Sequence, residues 1–257
     1  MKIYESTLEG AAVRYPEIGQ GRLSVALPDV CEEDSPVVLA LHGSGRGIEA
    51  YHTLPFYMRQ RDICLGYGCA FAVLQNGPDT YGTDEGLYNT ALAAEELLKK
   101  YTSRRDLILW ATSAGGICAF RYAAENPNKV RGIIGTFPVV DLVSVFPLLS
   151  SCRAAYGRRE EEYEAFAEQI RDKNPASFLP RLGNIPLYIA HGTADRAVPY
   201  RENALLLSEK AGAHLYTIEN GVHGTADFRY YDHAPHDALQ NLLVRKINMN
   251  DEVQFYG

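Results

Sequence analysis

Five short, almost wholly apolar runs divide the chain, at residues 37–41, 70–74, 107–110, 132–134 and 187–190. Strands that are buried on both faces of a parallel sheet have this composition, because neither face needs alternating polar residues. Between the runs, residues 85–101, 117–124 and 203–211 carry apolar side chains at helical spacing. This alternation of strand and helix predicts a right-handed, mostly parallel α/β sheet with helices on both faces.

Three segments depart from this alternation. Residues 11–18 and 22–27 read as short strands separated by Gly and Pro, which predicts an N-terminal antiparallel meander. Within residues 141–182, the stretch RREEEYEAFAEQIRDKNP predicts a polar helix that stops at Pro175. This insertion suits a small helical cap over one edge of the sheet. We therefore expect residues 1–257 to form a single domain with a cap inserted at about residues 141–182.

Net charge, cysteine pattern and apolar runs indicate which partners and which cellular location to expect. The net charge of −7 argues against nucleic acid and anionic membrane surfaces, which are polyanions. The five Cys include no C-x-x-C pair, so we expect neither a disulfide framework nor a zinc site. The N-terminal MKIYESTLEG lacks the apolar core of a signal peptide, and no apolar run approaches the ~18 residues of a membrane span. These features favour a cytoplasmic protein, either a monomer or a homodimer.

Chemistry-bearing residues follow the ends of four predicted strands. Ligands of open α/β sheets bind beyond the carboxyl ends of the strands. The segments at those ends are HGSGRG at residues 42–47, ATSAGG at 111–116, HGTADRAVP at 191–199 and NGVHG at 220–224. Their polar side chains include Ser113, Asp195 and His223, in that chain order. A serine hydroxyl becomes a useful nucleophile when a histidine base contacts it and a carboxylate orients that base.

This arrangement resembles the α/β-hydrolase superfamily over nearly the whole chain. The order Ser, Asp, His is the superfamily's order, and H-G-x-x-D-x-x-V-P at residues 191–199 is similar to its acid-bearing turn. The length, meander and small cap are most similar to compact esterases and to the catalytic domains of the prolyl-oligopeptidase-like group. The resemblance implies an α/β-hydrolase fold and a serine hydrolase that needs neither metal nor cofactor. One departure is Ala111, which stands where G-x-S-x-G begins with Gly.

Ser113 is the predicted nucleophile, on a tight turn between a strand and a helix. The alternative is a helix-capping Ser. Capping leaves Gly115 and Gly116 unexplained, since glycines weaken a helix start unless close packing demands them.

His223 is the predicted general base, because among the seven His it alone follows the last predicted strand in a Gly-flanked loop. His42 and His191 occupy His-Gly turns, which favours hydrogen bonds to the loop backbone. His233 and His236 form a pair without a third ligand, so a solvated turn is preferred over a metal site.

Asp195 is the predicted acid, and its motif favours it over Asp141, which follows the preceding strand, and over Glu219. The simpler alternative for Asp195 is an Asx-turn residue.

The oxyanion of the reaction needs backbone N–H donors. We expect one donor from Ala114 and one from Ser44, with Gly43 and Gly45 as alternatives to Ser44.

Tyr81, in the loop at residues 75–82, and Tyr51 are predicted to contact a small-molecule ester substrate, with Tyr57 and the cap residues Phe146 and Tyr156 as further candidates for bordering the pocket. The predicted reaction is hydrolysis of a carboxylic ester with a small or medium acyl group through an acyl-enzyme. A serine peptidase of the prolyl-oligopeptidase type and a thioesterase remain as alternatives. A non-catalytic binding protein with this fold is more remote, because all three residues of the triad are present.

Overall fold

The computed structural model describes residues 4–8, 11–18, 21–224 and 231–243. The strands in the described part of the chain are β1 (Tyr4–Leu8), β2 (Ala11–Tyr15), β3 (Glu17–Ile18), β4 (Gly21–Ala26), β5 (Val37–Leu41), β6 (Ala70–Leu74), β7 (Leu107–Thr112), β8 (Val130–Thr136), β9 (Leu187–Gly192) and β10 (His214–Ile218). The α-helices there are α1 (Ala50–Thr53), α2 (Pro55–Gly66), α3 (Asp84–Lys100), α4 (Gly115–Glu125), α5 (Leu142–Val145), α6 (Ser150–Ala155), α7 (Tyr163–Gln169), α8 (Leu206–Ala211) and α9 (His233–Leu243).

The strands form one twisted sheet in the order β1-β2-β4-β6-β5-β7-β8-β9-β10, with β3 paired to β4 outside this path. The pairs from β6 through β10 are parallel, whereas β1, β2 and β4 join in antiparallel fashion. This is the α/β-hydrolase fold predicted from the sequence, with the antiparallel meander at the N-terminus.

Burial on both faces explains the apolar runs. Every residue of β5 is buried, and successive residues enter different cores: Leu39 and Leu41 contact one, Val38 and Ala40 the other. Side chains alternate between the two faces of a strand, so helices covering both faces require an unbroken apolar sequence.

The order of the strands also locates a crevice. The chain leaves β5 for β6 on one side of it and then crosses to β7 on the other side. Ligands of such sheets bind where the strand order reverses in this way, beyond the carboxyl ends of the strands. The loops after β5, β6 and β7 therefore surround the expected binding site.

The cap differs from its prediction. The polar stretch forms a 3-10 turn at Glu160–Glu162 and then the short helix α7, which ends well before Pro175. Phe166 is fully buried and stacks on Phe146 with ring centroids 4.2 Å apart, so the segment folds on its own small core. This core also includes Tyr81 in the loop that follows β6 and Ala114 and Val139 beyond the ends of β7 and β8, so the cap packs over the carboxyl ends of these strands.

Helix α3 illustrates why the longer helices were predictable. The hydroxyl of Thr83 accepts a hydrogen bond from the N–H of Gly86 at the start of the helix. Acidic residues occupy its first turn and lysines its last, as the helix dipole favours. Within the described residues, none of the helices combines the length and apolar character needed to cross a membrane.

Candidate active site

Ser113 lies on a tight turn that joins β7 to α4. Its φ angle is +51°, in the left-handed region that a residue with a side chain adopts only when its surroundings hold it there. The Ser113 N–H donates to the carbonyl of Thr136 at 3.1 Å, and the Ser113 carbonyl accepts from Gly116 at 3.0 Å and from Val139 at 2.8 Å. The strained turn is therefore fixed on both sides by backbone hydrogen bonds.

Two glycines bring α4 close to the sheet. A Cβ atom on Gly115 would lie 2.1 Å from the carbonyl oxygen of Leu41, and one on Gly116 would lie 2.3 Å from that of Val139. Neither position accepts a side chain without movement of the backbone. Ala111, where the motif departs from Gly, has its methyl group fully buried within the core of one sheet face. The methyl fits there, so the departure leaves the turn intact.

A hydrogen-bonded chain links Ser113 to His223 and Asp195. The Ser113 Oγ lies 3.0 Å from Nε2 of His223, and Nδ1 of His223 lies 2.7 Å from Oδ2 of Asp195. Because an ionised carboxylate only accepts hydrogen bonds, the neutral imidazole carries its proton on Nδ1 and presents Nε2 to the hydroxyl. The three predicted residues meet in the geometry that activates a serine hydroxyl.

The carboxylate of Asp195 is surrounded by donors. Its Oδ1 accepts from the N–H groups of Ala197 at 2.9 Å and Val198 at 2.8 Å. Its Oδ2 faces His223 and also lies 3.4 Å from Nε2 of His191. Burial alone would raise the pKa of Asp195, but the hydrogen bonds from His191, His223 and Val198 outweigh it and hold that pKa well below its ordinary value. Asp195 is therefore ionised at neutral pH.

The loops that carry Asp195 and His223 are joined directly. The N–H of Ala194 donates to the carbonyl of Gly221 at 2.9 Å. A Cβ atom on Gly192 would lie 2.2 Å from that same carbonyl oxygen, so a side chain there would separate the loops. Strands β9 and β10 are parallel neighbours, and this contact extends their pairing into the loops.

The competing acids have other partners. The Oδ1 atom of Asp141 accepts from the N–H of Val143 at 3.1 Å and from Nδ2 of Asn174 at 2.6 Å, so Asp141 caps α5. Glu219 is exposed and accepts a long hydrogen bond from Thr193.

His42 contacts the backbone, whereas His233 and His236 belong to a helix. The Nδ1–H of His42 donates to the Gly43 carbonyl at 2.9 Å, and its Nε2 accepts from the N–H of Asn76 at 3.2 Å. Burial lowers the pKa of His42, and the bond to Gly43 opposes only part of that effect. His233 and His236 lie at the start of α9. In the part of the chain that the structure describes, no group of three or more His, Cys, Asp or Glu side chains is arranged to bind a metal ion.

The backbone after β5 lies against the Ser113 turn. A Cβ atom on Gly43 would sit 3.2 Å from Cβ of Ser113 and 3.0 Å from the hydroxyl oxygen of Tyr57. Ala114 follows Ser113 and is fully buried, and Ser44 lines the cavity beside the turn. The two segments expected to supply oxyanion donors thus meet at Ser113.

A cavity of about 580 Å³ opens onto Ser113 and His223. Its wall is largely apolar and aromatic, and includes Leu54, Phe56, Phe137 and Leu149. The ring of Phe137 packs against the imidazole of His223 with centroids 4.3 Å apart and against Phe56 at 5.6 Å. A volume of this size is typical of small-molecule sites, which range from about 300 to 1,000 Å³.

One of the two predicted substrate contacts lines this cavity. The hydroxyl of Tyr81 lies 2.8 Å from Oγ of Ser151, and both residues border the cavity. Tyr51 does not border it: its ring is buried behind that of Tyr57, with centroids 4.8 Å apart. Tyr57 takes its place at the cavity, because α2 turns this side chain inward, and no local sequence signal distinguishes the two tyrosines.

A model of the prolyl oligopeptidase family matches residues 75–256, more than two thirds of the 257 residues. The chain belongs to the prolyl oligopeptidase family. It is a serine hydrolase with the α/β-hydrolase fold, as the resemblance implied. A search of curated proteins found no match.

Several solved structures share the fold of this chain at low sequence identity. S-formylglutathione hydrolase from Agrobacterium tumefaciens aligns with a TM-score of 0.69 and 16% identity, over 94% of this chain and 98% of that one. Est1E from Butyrivibrio proteoclasticus aligns with a TM-score of 0.60 and 17% identity, over 93% and 95%. Oligopeptidase B from Leishmania major aligns with a TM-score of 0.65 and 16% identity, over 90% of this chain but only 36% of that one.

Proposed function

We propose that this serine hydrolase cleaves carboxylic esters of small or medium acyl groups, with Ser113, His223 and Asp195 as its catalytic triad. The observation that carries the proposal is the continuous hydrogen-bonded chain from Ser113 Oγ through His223 to the buried Asp195. Ser113 and His223 line the cavity of about 580 Å³, so a bound molecule meets the serine hydroxyl.

The reaction follows from that chain. The Ser113 oxygen attacks the ester carbonyl while its proton passes to Nε2 of His223, and the resulting imidazolium is stabilised by Asp195. His223 then gives the proton to the departing alcohol oxygen as the C–O bond breaks, which leaves an acyl group on Ser113. Water then repeats the sequence: His223 takes a proton from it as its oxygen attacks the acyl carbon. The bond between that carbon and Ser113 Oγ breaks, His223 returns the proton to Ser113, and the carboxylic acid leaves.

Backbone donors stabilise the oxyanion of each step. We assign this role to the N–H groups of Ala114 and Ser44, with Gly43 and Gly45 as alternatives for the second donor. A well-aimed donor of this kind contributes about 3 kcal/mol to transition-state stabilisation.

The cavity beside Ser113 supports a small ester as the first candidate, because its volume of about 580 Å³ and its largely apolar wall suit a small molecule. The name of S-formylglutathione hydrolase, one of the fold neighbours, supports a thioester as the second candidate. The oligopeptidase among the neighbours keeps a peptide amide as a further alternative.

The test combines labelling with turnover. A fluorophosphonate should label wild-type protein at Ser113, and kcat should be measured on aryl esters of increasing acyl length, acylated sugars, a thioester and peptide amides. We expect turnover of short aryl esters above that of amides. Ser113→Ala should abolish both labelling and turnover while thermal unfolding stays near wild type. Labelling of another residue, or activity retained by Ser113→Ala, would overturn the assignment.

A further inference from the structure

Arg46 stands at the cavity on a loop that is held in place. The N–H of Arg46 donates to the Gly43 carbonyl at 3.2 Å, which closes a turn in which Gly45 has a φ of +67°. Beyond the turn, the N–H of Ile48 donates to Oε1 of Gln75 at 2.8 Å. The backbone position of Arg46 is thus set by the same loop that contacts Ser113, so the loop itself needs little ordering when a ligand binds.

The charge of this cavity is one-sided. Among the described residues that line it, Arg46 is the permanent cation, and none is an Asp or Glu. The chain as a whole carries a net charge of −7, so an uncompensated cation beside the reacting serine runs against the overall charge. Within the described residues, Arg46 forms no ion pair with a carboxylate. Its neighbour Glu49 shares a separate surface groove with it.

Tyr57 lies near Arg46 but cannot occupy all the hydrogen-bond donors of its guanidinium. Both residues line the cavity. Burial raises the pKa of the Tyr57 hydroxyl, and the positive charge of Arg46 and hydrogen bonds with Gly43 and Arg46 oppose that effect. A guanidinium has five N–H donors in a fixed fork, and one directed at a hydroxyl leaves the others for a ligand. That fork matches the two oxygens of a carboxylate.

We propose that Arg46 forms a carboxylate-binding subsite, so that the preferred substrate is an ester that carries a carboxylate in its acyl or its alcohol part. This inference rests on the proposed function and names its substrate class. Apolar groups of such a substrate contact the wall formed by Phe56 and Phe137, and its carboxylate meets Arg46.

Matched esters test the proposal. The anionic substrates are 4-nitrophenyl hydrogen adipate, with its carboxylate on the acyl side, and 3-carboxy-4-nitrophenyl hexanoate, with its carboxylate on the leaving group. Each is compared with neutral 4-nitrophenyl hexanoate through the ratio of kcat/KM values. We expect one anionic ester to be preferred, and Arg46→Gln to reduce that ratio about fivefold, which corresponds to an ion pair at the stronger end for accessible sites. Arg46→Lys should retain part of the preference.

Arg171→Gln is the matched control. Arg171 is exposed on the cap and pairs with Glu168, and its substitution changes the net charge by the same amount as Arg46→Gln. It should leave the ratio unchanged. Equal ratios in wild type and Arg46→Gln would overturn the inference while hydrolysis of the neutral ester sustained the proposed function.

A binding measurement keeps the inference falsifiable even if none of these esters is hydrolysed. Calorimetry with 5-phenylpentanoate and with neutral 5-phenylpentanamide compares the same apolar group with and without charge. We expect wild type to bind the carboxylate more tightly and Arg46→Gln to lose that preference. Equal affinities in wild type would exclude the subsite, independently of any catalysis.

Discussion

At the scale of single residues, Asp195 and Asp141 show how contacts separate the proposed catalytic acid from a structural carboxylate. Both carboxylates follow strands at the same edge of the sheet, and both accept backbone hydrogen bonds. Only Asp195 contacts the histidine that reaches Ser113, whereas Asp141 is bound to α5 and Asn174.

Replacing each of these acids by Asn tests the assignment. Asp195→Asn should lower kcat by about 10³–10⁴, because the amide no longer fixes the His223 tautomer or stabilises the imidazolium. Asp141→Asn should keep kcat near wild type, since Asn caps helices about as well as Asp. Both are measured as kcat on a short aryl ester. A larger loss from Asp141→Asn would show that the acid follows β8 instead.

His191 was expected only to bond the loop backbone, and it does so through the Val198 carbonyl at 2.9 Å. Its second contact, with Asp195, is a tertiary feature that the His-Gly dipeptide does not reveal. That Tyr57 rather than Tyr51 lines the cavity is likewise a tertiary feature. The orientation of α2 depends on packing against the sheet, and the sequence gives both tyrosines equal weight.

At the scale of elements, the approach of α4 to the end of β5 is the most demanding contact. Gly115→Ala should destabilise the protein by about 3 kcal/mol, because its Cβ would lie 2.1 Å from the carbonyl oxygen of Leu41 and the backbone would have to shift. Activity should fall as well, since the helix carries the Ser113 turn. Urea unfolding and kcat measure the two effects.

Gly66→Ala is the control for that change. Gly66 is the last residue of α2, and a Cβ there meets no atom within 4 Å. Alanine favours helix by up to about 1 kcal/mol over glycine, so this variant should be neutral or slightly more stable. Equal destabilisation of the two variants would contradict a role for close packing at Gly115.

The central sheet was predictable because strands that are buried on both faces have continuous apolar sequences. The ends of its strands were not predictable, since Thr112 and Thr136 continue the pairing of β7 with β8 without apolar side chains. The cap helix was predicted too long, because Phe166 and Ile170 bury themselves and the chain turns there. The segment Arg201–Leu205 forms a π-helix that runs into α8, a distinction that apolar spacing does not make.

At the scale of the whole molecule, one buried carboxylate links stability to pH. The folded state holds the pKa of Asp195 below that of the unfolded chain, about 3.9. Its ionised form therefore stabilises the fold above about pH 4, and this contribution is lost as the pH falls through the folded-state pKa.

Unfolding by urea from about pH 7 down to about pH 3 measures this effect. The difference in free energy of unfolding between wild type and Asp195→Asn should be constant near neutral pH and shrink below about pH 4. Asp172→Asn, at an exposed position, provides the comparison. A difference that stays constant to low pH would mean that Asp195 gains no stabilisation from its charge.

The contact between Gly192 and Gly221 joins the loop that carries Asp195 to the loop that carries His223. These two loops therefore form one unit. Three residues that line the cavity, Arg46, Tyr57 and Tyr81, come from other segments of the chain. Substitutions at those three positions can reshape which molecules are accepted without disturbing the hydrogen-bonded chain. For directed evolution, this makes Arg46 and the inner face of α2 the positions to randomise, and the Gly192–Gly221 junction the position to keep unchanged.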